Sequence, residues 1–318
     1  MSLTVVALLL SGCHSTVPTI AVIPRTSGNM VWEAEHRGAF AAAVQSGAQI
    51  YWNAPTREDD IQGQIAMVEH VTAGGYQGLV LAPDHALALV TPVRRAISRD
   101  IPTVIVGSPL MMPPTAKLGY VLNDEEASGQ LAAQRVAAVL HGHGSIAVLG
   151  IDPDIAGIMT RAQILEEFLA DRYPRIHIVT NQLGSFNVPH EQQMAEETLK
   201  SYPNVDAIIT LTATSTYAVL SAIAIGGVKK VRVIAFDPGS LVFDSPNLDS
   251  FIVQDVHRMG AAAVRMIVDS LHGRPMASPV YFRPLLVTRE NSSSQEVQDA
   301  VSNDWHPASM RWKWSIGP

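Results

Sequence analysis

Short apolar runs alternate with amphipathic helical patterns along most of this sequence, and no other feature constrains the fold as strongly. The runs are rich in Val and Ile, as is typical of parallel strands that are buried on both faces. Repeated strand–helix units form parallel sheets with right-handed crossover connections. A second series of units begins near residue 145. The sequence therefore predicts an α/β protein of two similar lobes, each a parallel sheet with helices on both faces.

The predicted elements follow one another without a Pro-, Gly- or Ser-rich linker between the two series. The predicted strands are 19–23, 49–52, 77–82, 102–106, 118–122, 145–149, 176–179, 205–211, 231–236 and an apolar run that ends at 251–255. The predicted helices are 30–45, 57–72, 84–99, 124–140, 161–171, 191–200, 215–225, one that begins near 259, and a short helix over 295–301.

The first strand–helix unit carries the first candidate binding residues. A polar turn separates the strand Thr19–Ile23 from its helix, at the carboxyl end of the strand, where open α/β sheets place their ligand crevices. Within this unit Asn29 offers an amide, and Trp32 offers an aromatic face with one N–H. The structural alternative is that Asn29 only caps the helix and Trp32 belongs to the core.

Other polar residues follow the later strands in the same way, so they are further candidates for a cleft between the lobes. They are Asp84, Asp152, Asn187, Thr212, Asp237 and Gln254, together with Arg161 near the start of a helix. Each also has a structural explanation: Asp84 as a helix N-cap, Arg161 as a surface cation, and Asp237 as part of an Asp-Pro-Gly turn.

Composition and motifs exclude several function classes. A chain of 318 residues with 47% hydrophobic and 16% charged residues is typical of an ordered globular protein. Its net charge of −7 argues against nucleic acid as a partner. The sequence lacks the nucleophile-elbow, P-loop and His-Glu-x-x-His motifs, so we expect neither an enzyme nor a cofactor. His141 and His143 precede a strand and are interpreted as a turn rather than a metal site.

The amino-terminal residues indicate export. The apolar run at 4–10 is too short to span a bilayer, and it ends in Leu-Ser-Gly-Cys13, which resembles the lipobox of bacterial lipoproteins. No Lys or Arg precedes the run, which departs from the usual signal. The resemblance implies cleavage before Cys13 and lipid attachment to its sulfur, and the alternative is a buried free cysteine. We expect residues 1–18 to be signal and linker, and the protein to be lipid-anchored in the periplasm or on the outer face of a bacterial membrane.

Between Thr19 and Thr288, several short motifs occur in the order in which a known protein family has them. They are Ile-Pro-x-Thr-x-Gly-Asn-x-x-Trp at 23–32, Ala-Pro-Thr-Arg-Glu-Asp-Asp at 54–60, Gly-Leu-Val-Leu-Ala-Pro-Asp at 78–84, Ile-Ala-Phe-Asp at 234–237 and Ile-Val-Gln-Asp at 252–255. With these motifs the chain resembles the type 1 periplasmic sugar-binding proteins of ABC transporters, the ribose-binding-protein-like group, which is related to the ligand domains of lactose-repressor-like regulators.

This resemblance implies a periplasmic binding protein-like I fold, in which a three-strand hinge joins two lobes around a ligand cleft. The implied crossovers lie near Asn123, Gln254 and Arg283. The implied divisions are 19–123 plus 255–282 for the amino-terminal lobe, 124–254 plus 283–290 for the carboxy-terminal lobe, and 291–318 for a tail. In the tail, Trp305, Trp312 and Trp314 either contact a partner or pack back on their own lobe.

The resemblance also implies roles for individual residues around a sugar. Asn29 and Trp32 match residues that hydrogen-bond to the ring and stack on it, and Phe186, followed by Asn187, matches the aromatic on the opposite face. Arg161, Asp237 and Gln254 match polar groups that pair with hydroxyls. Three positions depart from the family pattern: Gly107-Ser108 replaces an Asp, Thr212 replaces an Asn, and Val31 replaces an aromatic. We therefore expect a differently substituted sugar, a sugar alcohol or another small polar molecule.

The predicted function is capture of a small sugar or polyol between the lobes and its delivery to an ABC permease by hinge closure. We expect a monomer that is tied to the membrane only through its lipid. Two alternatives remain open: the closed form is presented to a sensor kinase or chemoreceptor, or the ligand is a non-sugar polar molecule.

Overall fold

The computed structural model describes residues 17–27, 29, 31–228, 230–237 and 243–301. It contains two sheets of six strands each, in the orders β11-β5-β4-β3-β1-β2 and β12-β10-β9-β8-β6-β7. The first sheet is formed by β1 (Thr19–Ile23), β2 (Gln49–Trp52), β3 (Gly78–Leu81), β4 (Thr103–Gly107), β5 (Leu118–Asn123) and β11 (Val280–Phe282). The second is formed by β6 (Gly144–Ile151), β7 (Ile176–Leu183), β8 (Ala207–Thr210), β9 (Arg232–Phe236), β10 (Leu248–Val253) and β12 (Leu285–Thr288).

The strand pairs are parallel in the first sheet, and in the second sheet only the edge pair β10–β12 is antiparallel. The helices are α1 (Val31–Ser46), α2 (Ile61–Ala73), α3 (Val90–Ser98), α4 (Glu125–Val139), α5 (Ala156–Arg172), α6 (Val188–Ser201), α7 (Ala213–Gly226), α8 (Val256–Leu271) and α9 (Gln295–Val301). The predicted fold class of two similar α/β lobes is confirmed.

Each sheet is covered by helices on both faces, as the apolar strands require. In β1, Ile20 and Val22 contact the apolar cluster that includes residues of α1 and α8, whereas Ala21 and Ile23 belong to the cluster on the opposite face. In β6 of the second sheet, Ile146 and Val148 belong to one apolar cluster, and Ala147 and Leu149 belong to another. Three segments of chain join the two sheets: after β5, after β10 and between β11 and β12. Among the described helices, none combines the length and the apolar character needed to cross a bilayer.

Two predicted helices begin later in the structure. The predicted helix 84–99 starts only at Val90, because residues 84–89 form turns in which the His85 ring nitrogen accepts the N–H of Leu87. Asp84 is therefore not an N-cap, and that interpretation is wrong. The predicted helix 57–72 starts at Ile61, where the Asp60 carboxylate caps it by accepting the N–H of Gly63.

The closest helix packing in the first lobe joins α1 to α8. A Cβ at Gly38 would lie 1.8 Å from the carbonyl oxygen of His257, and one at Gly260 would lie 2.4 Å from the carbonyl oxygen of Glu35. Only glycine allows the two backbones to approach so closely. The Glu35 side chain is fully buried at this contact, and burial raises its pKa to about 8 although Arg25 opposes the shift.

The short helix predicted over 295–301 is confirmed as α9. It follows β12 of the second sheet, and Val297 packs into the core of that lobe. The helix also contacts α8 and α1 of the first lobe. The interpretations of Cys13, of the apolar run 4–10 and of Trp305, Trp312 and Trp314 concern residues outside the described ranges.

Candidate ligand-binding cleft

The carboxyl ends of the strands of both sheets surround one cavity between the lobes. It contains about 680 Å³ of atom-free space, part of which is open to solvent. Seven of the predicted site residues line it: Asn29, Trp32, Arg161, Phe186, Thr212, Asp237 and Gln254. Asp84 and Asn187 are not among its described lining residues.

A buried ion triad forms one wall of the cavity. Arg161, which is 4% exposed, donates through Nε and Nη2 to the Glu125 carboxylate at 2.8 and 2.6 Å. Its Nη1 donates to Asp237 Oδ2 at 2.9 Å and to the carbonyl oxygen of Leu211 at 3.3 Å. The surface interpretation of Arg161 is therefore wrong, and four of its five N–H groups are engaged within the protein.

Three acceptor atoms beside this triad have no hydrogen-bond partner among the described residues. They are Asn123 Oδ1, Asp237 Oδ1 and Gln254 Oε1, each of which belongs to a residue that lines the cavity. Asn123 ends β5, Asp237 follows β9, and Gln254 follows β10, so different strands bring them together. Buried polar atoms are nearly always paired, so unpaired ones on residues that line a cavity are candidates for contacts with a ligand.

An aromatic pair holds an arginine at another part of the cavity. The guanidinium carbon of Arg25 lies 5.2 Å from the ring centre of Trp32 and 5.7 Å from that of Phe186. These are distances at which a cation is attracted to the face of a ring. Trp32 and Phe186 belong to different lobes, so the cation links the two lobes across the cleft. Glu58 lies at the edge of this group, 3.5 Å from Trp32 Nε1.

Three predicted amide and hydroxyl residues cap helices. Asn29 Oδ1 accepts the N–H of Val31 at the start of α1, so the residue both caps a helix and lines the cavity. Thr212 forms a reciprocal capping box with Ser215 at the start of α7 and also lines the cavity. Asn187 is an exposed N-cap of α6, which accepts the N–H of His190, and its neighbour Phe186 is the residue that reaches the cleft.

Asp84 is buried beside the cavity, directly after Pro83, which lines it. Its two carboxylate oxygens lack a hydrogen-bond partner among the described residues. Burial raises the pKa of Asp84 to about 8, with Arg25 lowering it and nearby Glu58 raising it. At neutral pH this carboxyl is mostly protonated and serves as a neutral polar group.

Contacts across the mouth join the lobes. Ser108 Oγ accepts the N–H of Gly157 at 2.9 Å, so the residue pair that departs from the family pattern at 107–108 supplies an interlobe hydrogen bond. The backbone N–H of Ala86 donates to the carbonyl oxygen of Asp154 at 3.0 Å, and the His85 ring lies 3.5 Å from the Asp154 carboxylate.

Sequence reasoning missed four of the charged and amide residues that line the cavity: Arg25, Glu58, Asn123 and Glu125. All four residues nevertheless lie at sequence positions that could have indicated them. Arg25 and Glu58 lie inside two of the quoted motifs, and Asn123 and Glu125 follow the carboxyl end of a predicted strand. By contrast, His141 and Gly142 form the predicted turn, and the described residues contain no cluster of three or more metal-ligating side chains.

The chain is similar to several known proteins in sequence and in fold. The D-allose-binding periplasmic protein of Escherichia coli is 25% identical over 278 residues, which cover 84% of this chain and 89% of that protein. The xylitol-binding protein of Mycolicibacterium smegmatis is 23% identical over 63% of this chain and 56% of its own length. A carbohydrate-transporter solute-binding protein from Agrobacterium radiobacter, solved in complex with D-arabinose, superposes with a TM-score of 0.84 at 22% identity, over 90% of this chain and 99% of that one.

The family model described as a periplasmic binding protein domain matches residues 20–275. This range contains both sheets' strands up to β10 and every described residue that lines the cavity. The relatives are sugar-binding and sugar-alcohol-binding proteins, and the structural neighbours include ABC-transporter solute-binding proteins. The matching family consists of binding proteins rather than enzymes. From its sequence match and its fold, the chain belongs to the periplasmic binding protein family.

Proposed function

We propose that this protein captures a small sugar or related polyol in the interlobe cleft and delivers it to an ABC permease after hinge closure. The observation that carries the proposal is the cavity itself, in which two aromatic side chains and three unpaired acceptors from both lobes surround one space. Polyols present apolar C–H faces and polar edges, so they suit such a lining. The allose, xylitol and arabinose named for the relatives are all of this chemical class.

Roles for the lining residues follow from their surroundings. Trp32 and Phe186 would stack on the two faces of the ligand, in the slot that Arg25 occupies here. Asn123, Asp237 and Gln254 would accept hydrogen bonds from it. Contributions by Asn29, Asp84, Asn187 and Thr212, and a donor role for the remaining N–H of Arg161, also belong to the proposal.

Closure would couple capture to delivery. The proposed lobes are 19–123 plus 255–282 and 124–254 plus 283–290, with the three connecting segments as the hinge. A ligand that contacts both lobes favours the closed form, because an open cleft cannot provide the contacts of both lobes at once. We propose that the protein acts as a monomer, which light scattering on the purified protein would test by its mass.

Lipid anchoring through Cys13 at the outer face of a bacterial membrane is a separate proposal that rests on Leu-Ser-Gly-Cys13. We expect wild-type protein to sediment with membranes and to incorporate labelled fatty acid when it is expressed in a bacterial host. Cys13→Ala should lose both properties while its ligand binding is retained. Membrane association of Cys13→Ala equal to that of wild type would contradict a lipid anchor at this residue.

The binding function is tested by a thermal-shift screen of pentoses, hexoses, sugar alcohols, nucleosides and amino acids. A ligand at 100 times its dissociation constant should add about 2.7 kcal/mol to the free energy of unfolding. Phe186→Ala should weaken binding of the best polyol about tenfold or more, because one stacking face is lost. Phe168→Ala is the matched control: Phe168 packs against Tyr173 outside the cavity.

The outcomes separate the competing functions. A shift with a polyol that Phe186→Ala reduces and Phe168→Ala preserves would support capture of a polyol. A shift with only an amino acid or nucleoside would replace the ligand class and retain the binding role. No shift with any compound would contradict small-molecule capture.

A further inference from the structure

Among the described residues that line the cavity, four buried side-chain atoms lack a hydrogen-bond partner. Arg25 Nε, the one donor, lies at the aromatic pair, whereas the three atoms at the ion triad are all acceptors. Asn123 Oδ1, Asp237 Oδ1 and Gln254 Oε1 belong to residues that line the cavity, and none has a hydrogen-bond partner among the described residues. A ligand that fills this part of the cavity must therefore bring donors. We define these three atoms as the acceptor floor.

Neighbouring residues fix the orientation of both amides in the floor. Asn123 Nδ2 donates to Glu125 Oε1 at 3.2 Å, and an ionised carboxylate only accepts, so the oxygen of the amide must face away from it. For Gln254, Nε2 donates to Ser128 Oγ at 3.3 Å, and the Ser128 hydroxyl already donates to the carbonyl oxygen of Asp124 at 2.9 Å. Ser128 must then accept from Gln254. A flip of either amide would lose a hydrogen bond, so Asn123 Oδ1 and Gln254 Oε1 stay the unpaired atoms of these side chains.

The adjacent cation has few donors left for a ligand. Arg161 uses four of its five N–H groups on Glu125, Asp237 and Leu211. The triad of one guanidinium and two carboxylates keeps one excess negative charge when both carboxylates are ionised. Over the described residues that line the whole cavity, three carboxylates (Glu58, Glu125 and Asp237) face two guanidinium groups (Arg25 and Arg161). With Glu125 and Asp237 ionised, the floor combines acceptors with excess negative charge, although burial raises the pKa of Glu125 against the opposing effect of Arg161.

A hydroxyl and an ammonium group differ in how well they pair with a group of acceptors that carries negative charge. Each hydroxyl brings one donor and two lone pairs, and its lone pairs would find few donors here. An ammonium group brings three N–H donors, no lone pair and a positive charge. Its hydrogen bonds to a carboxylate are charge-assisted and stronger than those between neutral groups.

We infer that the ligand is a polyol that carries a protonated amine, an amino sugar or amino sugar alcohol, with its ammonium group bound by Asn123, Asp237 and Gln254. This inference rests on the proposed function, since it names the substrate class of the same cleft.

The second arginine of the cavity does not compete with this ammonium group. Arg25 lies between the aromatic rings, and its charge lowers the pKa values of Asp84, Asp152 and Glu35 against the effect of burial. Arg161 acts on a different set, Glu125 and Asp237. When the ligand takes the slot between the rings, its hydroxyls can therefore use the donors of the displaced Arg25 while its amine lies at the acceptor floor.

Calorimetric titration of the wild-type protein with matched pairs tests the inference. The pairs are D-glucosamine with D-glucose, D-galactosamine with D-galactose, 6-amino-6-deoxyglucose with D-glucose, and 1-amino-1-deoxysorbitol with sorbitol. In at least one pair the amine should bind about tenfold more tightly than its hydroxyl parent, because a charged hydrogen bond contributes more than a neutral one. An amine that binds no better than its parent in every pair would overturn the inference while leaving polyol capture intact. If no compound in these pairs binds and the wider polyol screen is also silent, both proposals fail.

Two isosteric variants test whether the excess negative charge causes the preference for an amine over its hydroxyl parent. Glu125→Gln and Asp237→Asn each neutralise the triad, so each should reduce the amine-to-parent affinity ratio about tenfold. Glu126→Gln removes the same charge from the next residue, which is exposed and bonded to Gln130, and should leave the ratio unchanged. Asp237 is 21% exposed, so Asp237→Asn provides the test if Glu125→Gln fails to fold. A ratio that both folded variants leave unchanged would overturn the assignment of the ammonium group to the acceptor floor.

Discussion

Arg161→Leu is expected to lower the free energy of unfolding by about 3–5 kcal/mol and to abolish ligand binding, because it removes the only cation of a buried triad. Glu125 and Asp237 would then face each other without Arg161, and Glu125 is only 7% exposed. Breaking a buried ion pair by removing one partner leaves an uncompensated charge in a site with little water. Urea unfolding followed by circular dichroism measures the loss, and calorimetry measures the binding.

Two comparisons make this prediction specific. Arg172→Leu changes an arginine at the end of the same helix, one whose side chain is 68% exposed and pairs with Asp171, and it should cost less than about 1 kcal/mol. The double variant Arg161→Leu/Glu125→Leu should recover part of the lost stability, because it removes one of the orphaned carboxylates. A loss below about 1 kcal/mol in Arg161→Leu alone would contradict the structural role of the triad.

Gly38→Ala is expected to reduce the free energy of unfolding by at least about 2 kcal/mol, although alanine favours a helix by about 1 kcal/mol. The added Cβ would lie 1.8 Å from the carbonyl oxygen of His257, a backbone atom on α8 that cannot move without shifting that helix. Because α8 begins directly after the crossover at Gln254, such a shift would also disturb the hinge side of the cleft. Thermal and urea unfolding of the variant check the prediction.

Gly226→Ala is the matched control for that substitution. Gly226 also lies in a helix, and its added Cβ would meet only a Val228 methyl at 3.5 Å, an ordinary contact. This variant should be neutral or slightly stabilising, by up to about 1 kcal/mol. Equal stabilities of Gly38→Ala and Gly226→Ala would show that α1 and α8 do not pack as closely as the structure has them.

Most of the fold could be predicted from the sequence. The strand–helix alternation gave two α/β lobes with their polar residues at strand ends, and seven residues predicted from strand ends and motif matches line the cavity. Helix starts were less predictable. The helical pattern continues back to Asp84 and Arg57, but turn geometry at His85 and a cap at Asp60 delay the helices. The apolar pattern indicates which face of a helix is buried, whereas its first residue depends on a few local hydrogen bonds.

The chemistry of the cleft was less accessible to the same reasoning. From the resemblance, Arg161 was expected to donate to sugar hydroxyls, whereas the structure commits most of its donors to Glu125 and Asp237, 36 and 76 positions away in the chain. The Arg25 side chain lies between Trp32 and Phe186 from opposite lobes. Neither arrangement has a signature in the spacing of residues.

The sequence alone therefore determined the fold class, the two-lobed plan and the edge of each sheet at which a ligand would bind. Periodicity and turn residues suffice for these, because they reflect hydrogen bonds and burial between near neighbours in the chain. Only the tertiary structure decided which polar groups satisfy one another and which remain free for a ligand. That balance depends on distances between side chains from distant segments. In this cleft it leaves Asn123 Oδ1, Asp237 Oδ1 and Gln254 Oε1 without a partner among the described residues.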